Sequence, residues 1–173
     1  MRNFLLGFTS ALLVLALAAF IYIRLGFVDS RADIPVNRLE QKLAMPSLDA
    51  SVDRHAPHVK NPIDPTEGNL IAGMAIYQRY CAECHGDVNH PHARLAYSLY
   101  PRSPQFVEDA PDMPEYQNFY IIKHGIRLSG MPAWNESLSE QQLWQVTTFL
   151  SNMDKLPASI EEKWKKQIDA SVP

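Results

Sequence analysis

The sequence predicts an all-α fold: small helices and loops wrapped into one compact domain, behind a single N-terminal apolar helix. Three observations lead there. Apolar residues recur at helical spacing in three stretches, about 69–80, 115–124 and 139–153. No strand-type alternation survives the thirteen prolines, each of which lacks the amide that a central strand must donate. The third observation is an uncharged run from Phe4 to Ile23, twenty residues long. At about 1.5 Å per residue, a helix of that length crosses roughly 30 Å of bilayer hydrocarbon.

That run is the first element, and residues 1–24 are expected to be a retained transmembrane anchor. Ala16-Leu17-Ala18 offers a small-residue cleavage pattern of the signal-peptide kind, but Phe20-Ile21-Tyr22-Ile23 extends the apolar run well past it. Arg2 on one side faces Arg24 and Arg31 on the other, so charge does not set the orientation. Residues 25–66 follow as a proline-rich tether, punctuated by Pro35, Pro46, Pro57, Pro62 and Pro65. Pro35 is placed to open a short helix with Leu39 and Leu43, and Ser47 to cap another that reaches His55. His55 and His58 read as solvated surface residues.

Residues 67–155 form the domain. In its first helix Leu70, Met74 and Tyr77 line one side, and Gly73 costs about 1 kcal/mol relative to Ala, which close packing of another helix would explain. From Gly86 to Pro114 five prolines, at 91, 101, 104, 111 and 114, forbid a long helix, so the segment is a wrapping loop. A helix from about Glu115 to His124 stops at Gly125. The last one opens on Ser139-Glu140-Gln141-Gln142, a capping-box pattern, and carries Leu143, Trp144, Val146, Thr147, Phe149 and Leu150. Residues 156–173 are an amphipathic tail in which Ser159 to Glu162 repeats the capping pattern and Ile160, Trp164 and Ile168 share a face, with packing against the domain as the expectation.

A net charge of −3 and a pI near 6.0 give no sign of nucleic-acid binding. The two cysteines lie three apart, in Cys81-Ala82-Glu83-Cys84-His85. That supply excludes a disulfide-stapled domain and a four-cysteine zinc site. A redox dithiol wants a strand ahead of it and its attacking cysteine at a helix N-terminus, whereas this pair follows a helix. The adjacent histidine makes the pentapeptide an attachment site for one haem c, each thiol adding to one vinyl group and His85 ligating iron. A thioether as sixth ligand favours the reduced state. Met131, in Leu128-Ser129-Gly130-Met131-Pro132-Ala133-Trp134, has a glycine that admits close approach and a proline that stiffens the loop. Met113 lies between acidic residues, and His90, His92 and His124 are the rival ligand class. Arg94, Arg102, Arg127 and the Trp134 indole are candidate donors to the propionates.

Residues 66 to 153 resemble class I cytochromes c. The residues that carry this are Gly73, Tyr77, Cys81 to Gly86, Tyr100-Pro101-Arg102-Ser103-Pro104, Ile122 to Arg127, Gly130 to Trp134 and the Leu143-Trp144 helix. The resemblance implies His85 as proximal and Met131 as distal ligand, a crossing of the first and last helices near Gly73, and a carbonyl of the proline stretch, Pro101, accepting the His85 ring N–H. Asp87-Val88-Asn89-His90-Pro91-His92 departs from the Gly-rich stretch common in the family.

The expected function is single-electron transfer by a membrane-anchored mono-haem cytochrome, in the bacterial inner (cytoplasmic) membrane with its haem domain in the periplasm. Its partners are redox proteins or a membrane oxidoreductase complex, with no nucleic acid and no small-molecule substrate. Iron with both axial positions filled by protein leaves no place for catalysis. The alternatives are a haem-based gas or redox sensor, whose weak sixth ligand gives way, and a fixed electron-transfer subunit of a larger assembly.

Overall fold

The computed structural model describes residues 1–169, with side chains as far as Lys166. The described residues form seven α-helices and two short 3-10 turns, with no strand among them. They fall into two compact units, Met1–Arg31 and the chain from Ala32 onward.

The first unit is α1, Arg2–Arg24, whose most apolar window has a mean hydropathy of 2.5 and none of whose residues is buried. Within it the Thr9 hydroxyl donates to the Leu5 carbonyl at 2.9 Å, an internal bond of the kind that hydrocarbon surroundings favour. The helix is long and apolar enough to cross a membrane.

In the second unit α2 spans Arg38–His55 as one helix, where the sequence suggested two short ones. Asn37, not Pro35, opens it, its side-chain oxygen accepting from the Leu39 amide at 2.8 Å. Pro46 lies inside and deletes only its own bond to the preceding turn. The neighbours Leu43, Ala44, Met45 and Leu48 are good helix formers, and the helix runs through.

The core is built where α3, Glu67–Tyr80, crosses α6, Glu140–Leu150. A Cβ placed on Gly73 would stand 2.2 Å from the Gln145 carbonyl oxygen and 2.7 Å from Phe149 Cβ. The glycine is therefore where the two backbones meet, as expected. Around it Leu70, Met74 and Tyr77 pack on Leu143, Val146, Phe149 and Leu150. The capping box is present, with Ser139 Oγ accepting from the Gln142 amide at 3.3 Å and the Gln142 side chain from the Ser139 amide at 2.9 Å. This helix ends at Leu150, and Met153–Lys155 continue as a 3-10 turn. Buried Thr147 and Thr148 donate to carbonyls one turn back, at 2.8 and 2.9 Å.

Helix α5, Glu115–His124, adds Phe119, stacked on Trp144 at 3.8 Å, and Ile122. It stops at Gly125, whose φ of 68° turns the chain toward Met131. Helix α7, Ala158–Asp169, starts ahead of Ser159 and buries Ile160 and Trp164. The Trp164 ring stands edge-on to Tyr77 and Phe149, at 6.0 and 5.2 Å. The tail therefore packs on the core; the side chain of Ile168 lies outside the described residues.

Candidate functional site

The site begins where α3 ends. Cys81 breaks the helix, and Ala82–His85 form the single turn α4. Within it the Cys84 and His85 amides both donate to the Cys81 carbonyl, at 3.1 and 2.9 Å. The two thiols therefore bracket one tight turn. Buried Tyr77 ties its far end down by donating its hydroxyl to the Gly86 carbonyl at 2.7 Å. Burial, then the charges of Cys81 and Asp87, push that phenol far above its ordinary range, so it stays a donor.

His85 is 8% exposed. Its Nδ1 lies 2.9 Å from the Pro104 carbonyl oxygen, and the acceptor is thus Pro104 rather than the expected Pro101. The reason is the way the loop is pinned. Ser103 Oγ and Gln105 Nε2 donate to the Cys84 carbonyl, the Phe106 amide donates to the His85 carbonyl at 3.0 Å, and so residues 103–106 lie against the motif. A carbonyl only accepts, so Nδ1 carries the proton, and Nε2 keeps its lone pair. Nε2 has no hydrogen-bond partner among the described residues. Burial lowers the pKa of this imidazole, opposed by the Pro104 bond, which keeps the ring neutral and ready to ligate. Phe106 stacks on it at 4.2 Å with the planes 4° apart.

Burial, then the neighbouring Cys84, pushes the Cys81 thiol up to about 12, and burial, then Glu83, raises Cys84. Both thiols are protonated at neutral pH. Neither is the depressed, reactive thiol that a redox dithiol uses, and no cluster of three or more metal-ligating His, Cys, Asp or Glu side chains exists among the described residues.

Met131 is half-buried at the margin of the core, its amide on Ser129 Oγ at 3.1 Å and its carbonyl accepting from the Ile126 amide at 3.1 Å. Gly130 is closely approached by Leu99, whose Cδ2 would lie 2.7 Å from an added Cβ. Leu128 has a φ of 62°, an uncommon conformation for a branched side chain, three residues before Met131. Met113 uses its carbonyl to accept from Asn118 Nδ2 at 3.0 Å, at the start of α5. Trp134 is half-buried, its ring angled against Tyr80 at 5.2 Å. Arg127 is exposed. Neither the Trp134 indole N–H nor the Arg127 guanidinium has a partner among the described residues, which leaves both as donors for an anion. Arg102 instead lies over the Tyr97 ring at 4.6 Å.

The unusual loop after Gly86 is closed by Asp87, whose side chain accepts from the Asn89 and His90 amides at 2.8 Å each. Exposed His90 and His92 face Asp87 and Glu108, at 3.4 and 3.2 Å. His55 bonds its own helix and His124 leans on Tyr120. Pro104, Phe106, Ser103 and Gln105 are the site residues that sequence reasoning missed. Pro104 lay in the quoted proline stretch, but nothing in the sequence distinguishes its carbonyl from that of Pro101.

Two protonated thiols one turn apart, beside an imidazole whose Nε2 is unused, fit a covalently attached haem. An all-helical domain built on this turn is that of a c-type cytochrome. Residues 68–150, just under half of the chain, match the family described as cytochrome c oxidase, cbb3-type, subunit III. Residues 68–150 are thus a cytochrome c domain, which implies covalently bound haem c and haem-based electron transfer. No curated protein matches it. Among solved structures, a chain of the Kuenenia stuttgartiensis reducing HAO-like protein complex Kustc0457/Kustc0458 is similar at 19% identity and a TM-score of 0.46, over 68% of this chain and 61% of that one. The present chain thus spans less than two thirds of that neighbour's length.

Proposed function

We propose that the chain is a membrane-anchored, mono-haem carrier that passes single electrons between respiratory redox partners and is not an enzyme. The observation that supports this best is His85, buried and neutral, its Nδ1–H given to Pro104 and its Nε2 lone pair free of the protein. A bound haem supplies a one-electron couple at iron, and a thioether ligand favours its reduced form. The chain's own residues do the rest. Cys81 and Cys84 would hold the ring covalently, His85 and Met131 would ligate its iron, Pro104 orients the imidazole, and Arg127 and Trp134 would donate to the propionates. Helix α1 stays as a single-pass anchor in the inner membrane, with the domain in the periplasm, where such haems are attached.

Met131→Ala tests the ligand set. The variant should keep its haem through denaturing electrophoresis, lose the sulfur-to-iron charge-transfer band of the oxidised protein, and open the reduced iron to carbon monoxide. An unchanged spectrum would move the role to Met113 or to His90, His92 or His124. Carbon monoxide binding by the unaltered reduced protein would instead support the sensor.

A second reading, a fixed subunit of a larger membrane oxidoreductase, is favoured by the description of the matched family. Purification in mild detergent separates the two. A stoichiometric complex supports the subunit, and recovery as a free monomer supports the carrier.

A further inference from the structure

The stretch read as a tether is fastened to the haem domain. It precedes residue 68, where the family match begins. Four contacts hold it. Glu40 accepts a hydrogen bond from the Tyr100 hydroxyl, and Asp53 one from Gln117 Nε2 at 3.4 Å. His58 stacks on Tyr116 at 4.4 Å, and Asn61 Nδ2 donates to Thr148 Oγ1 at 2.8 Å. Val52 and Ala56 are buried.

The first of these contacts lands on the site. Tyr100 opens the run 100–106, whose other end is pinned to the haem motif: Ser103 and Gln105 on the Cys84 carbonyl, Pro104 on the His85 ring, Phe106 on the His85 carbonyl. One short loop is therefore gripped by α2 at its start and by Cys84 and His85 at its end. Among the described residues the only side chain bonded to the Tyr100 hydroxyl is Glu40.

We propose that Glu40 is a positioning residue for the proximal haem ligand: by holding Tyr100, α2 sets where the Pro104 carbonyl stands and so the strength of its hydrogen bond to His85. A strong Nδ1–H···O=C bond makes the imidazole more basic and stabilises oxidised iron. Loosening it raises the potential. The inference rests on His85 being the ligand, as proposed above.

The test uses the full-length holoprotein in mild detergent, with two readouts: the midpoint potential and hydrogen exchange at the Phe106 amide. Glu40→Ala and Tyr100→Phe should both raise the potential, Tyr100→Phe by at least as much because it also loses the contact of its hydroxyl with the Asn37 backbone, and the double variant should add nothing beyond Tyr100→Phe. The Phe106 amide should exchange roughly fivefold faster in each, the equivalent of about 1 kcal/mol of lost hydrogen bonding. Glu40→Gln, which still offers an acceptor, should restore both readouts toward those of the unaltered chain. Asp53→Asn, at the other end of α2, should leave both alone. An unmoved potential in Tyr100→Phe would overturn the proposal, as would an equal shift in Asp53→Asn. Should Glu40→Ala fail to accumulate with haem, Tyr100→Phe, which loses only a hydroxyl, decides the matter. If the unaltered chain lacks the spectrum of an imidazole-ligated haem, the ligand assignment itself falls. A normal spectrum with unmoved variants sinks only the positioning role.

Discussion

Helices α2 and α7 both lie outside the stretch that matches the family, one on each side of it, and different forces hold them. The shorter, α7, drives Ile160 and Trp164 into the core at 0% and 2% exposure, against Tyr77 and Phe149. The longer, α2, buries only Val52 along its own length and is otherwise clipped on by polar and ring contacts near its ends and just beyond. Burial of a large aromatic side chain contributes about 1.5–3 kcal/mol, while a hydrogen bond made in competition with water nets about 1. Helix length therefore says little about how firmly a flanking helix is held. The weakly held one is also the one that reaches the haem-motif loop.

Trp164→Ala should be the most damaging change, costing about 3–5 kcal/mol for an aromatic truncated in a core, read as a fall in the denaturant midpoint. A cost near that of a surface substitution would mean that α7, too, is only clipped on. Gly73→Ala comes next. Its Cβ meets backbone rather than a yielding side-chain tip, so the change should reach the upper end of the 1–3 kcal/mol typical of overpacking and loosen α7 with the crossing it packs on.

Val52→Ala should cost about 1.5 kcal/mol, two methyl groups at roughly 0.8 each. Amide exchange should then quicken in α2 while α7 stays protected. Equal quickening of both would erase the contrast. The smallest effect belongs to Lys163→Met, which removes the exposed 2.7 Å ion pair from α7 to Glu67. The hydrogen bond from Lys163, then its charge, lowers the Glu67 pKa from 4.5. The pair's contribution is therefore present above that ordinary value and lost as pH falls through the lowered one. The variant should match the unaltered chain in strong acid and fall only marginally below it at neutral pH.

The parts read correctly from sequence are those whose cause is local. Ser139 and Gln142 cap α6 because the partners sit three residues apart, and Gly125 ends α5 because a left-handed turn needs no neighbour to favour glycine. Cys81 to His85 is legible for the same reason: thiols three apart close one turn. Gly73 announced a close approach, although not by which residues. Of the misreadings, the first is local and the second nonlocal. Pro35 and Ser47 looked like helix starts, but Asn37 made the stronger cap and Pro46 did not stop the helix. Pro101 and Pro104 offer identical carbonyls, and only the hydrogen bonds of Ser103, Gln105 and Phe106 to the motif select Pro104.

By itself, then, the sequence determined an apolar helix, a cytochrome c domain and its haem-attachment turn, because periodicity, caps and the Cys-x-x-Cys-His spacing act over a few residues. Only the tertiary structure decided which carbonyl holds His85, that the supposed tether grips the loop at Tyr100, and that Trp164 meets Tyr77. Each of those depends on groups from 19 to nearly 90 residues apart being brought together, and no local pattern encodes which of several equivalent groups arrives.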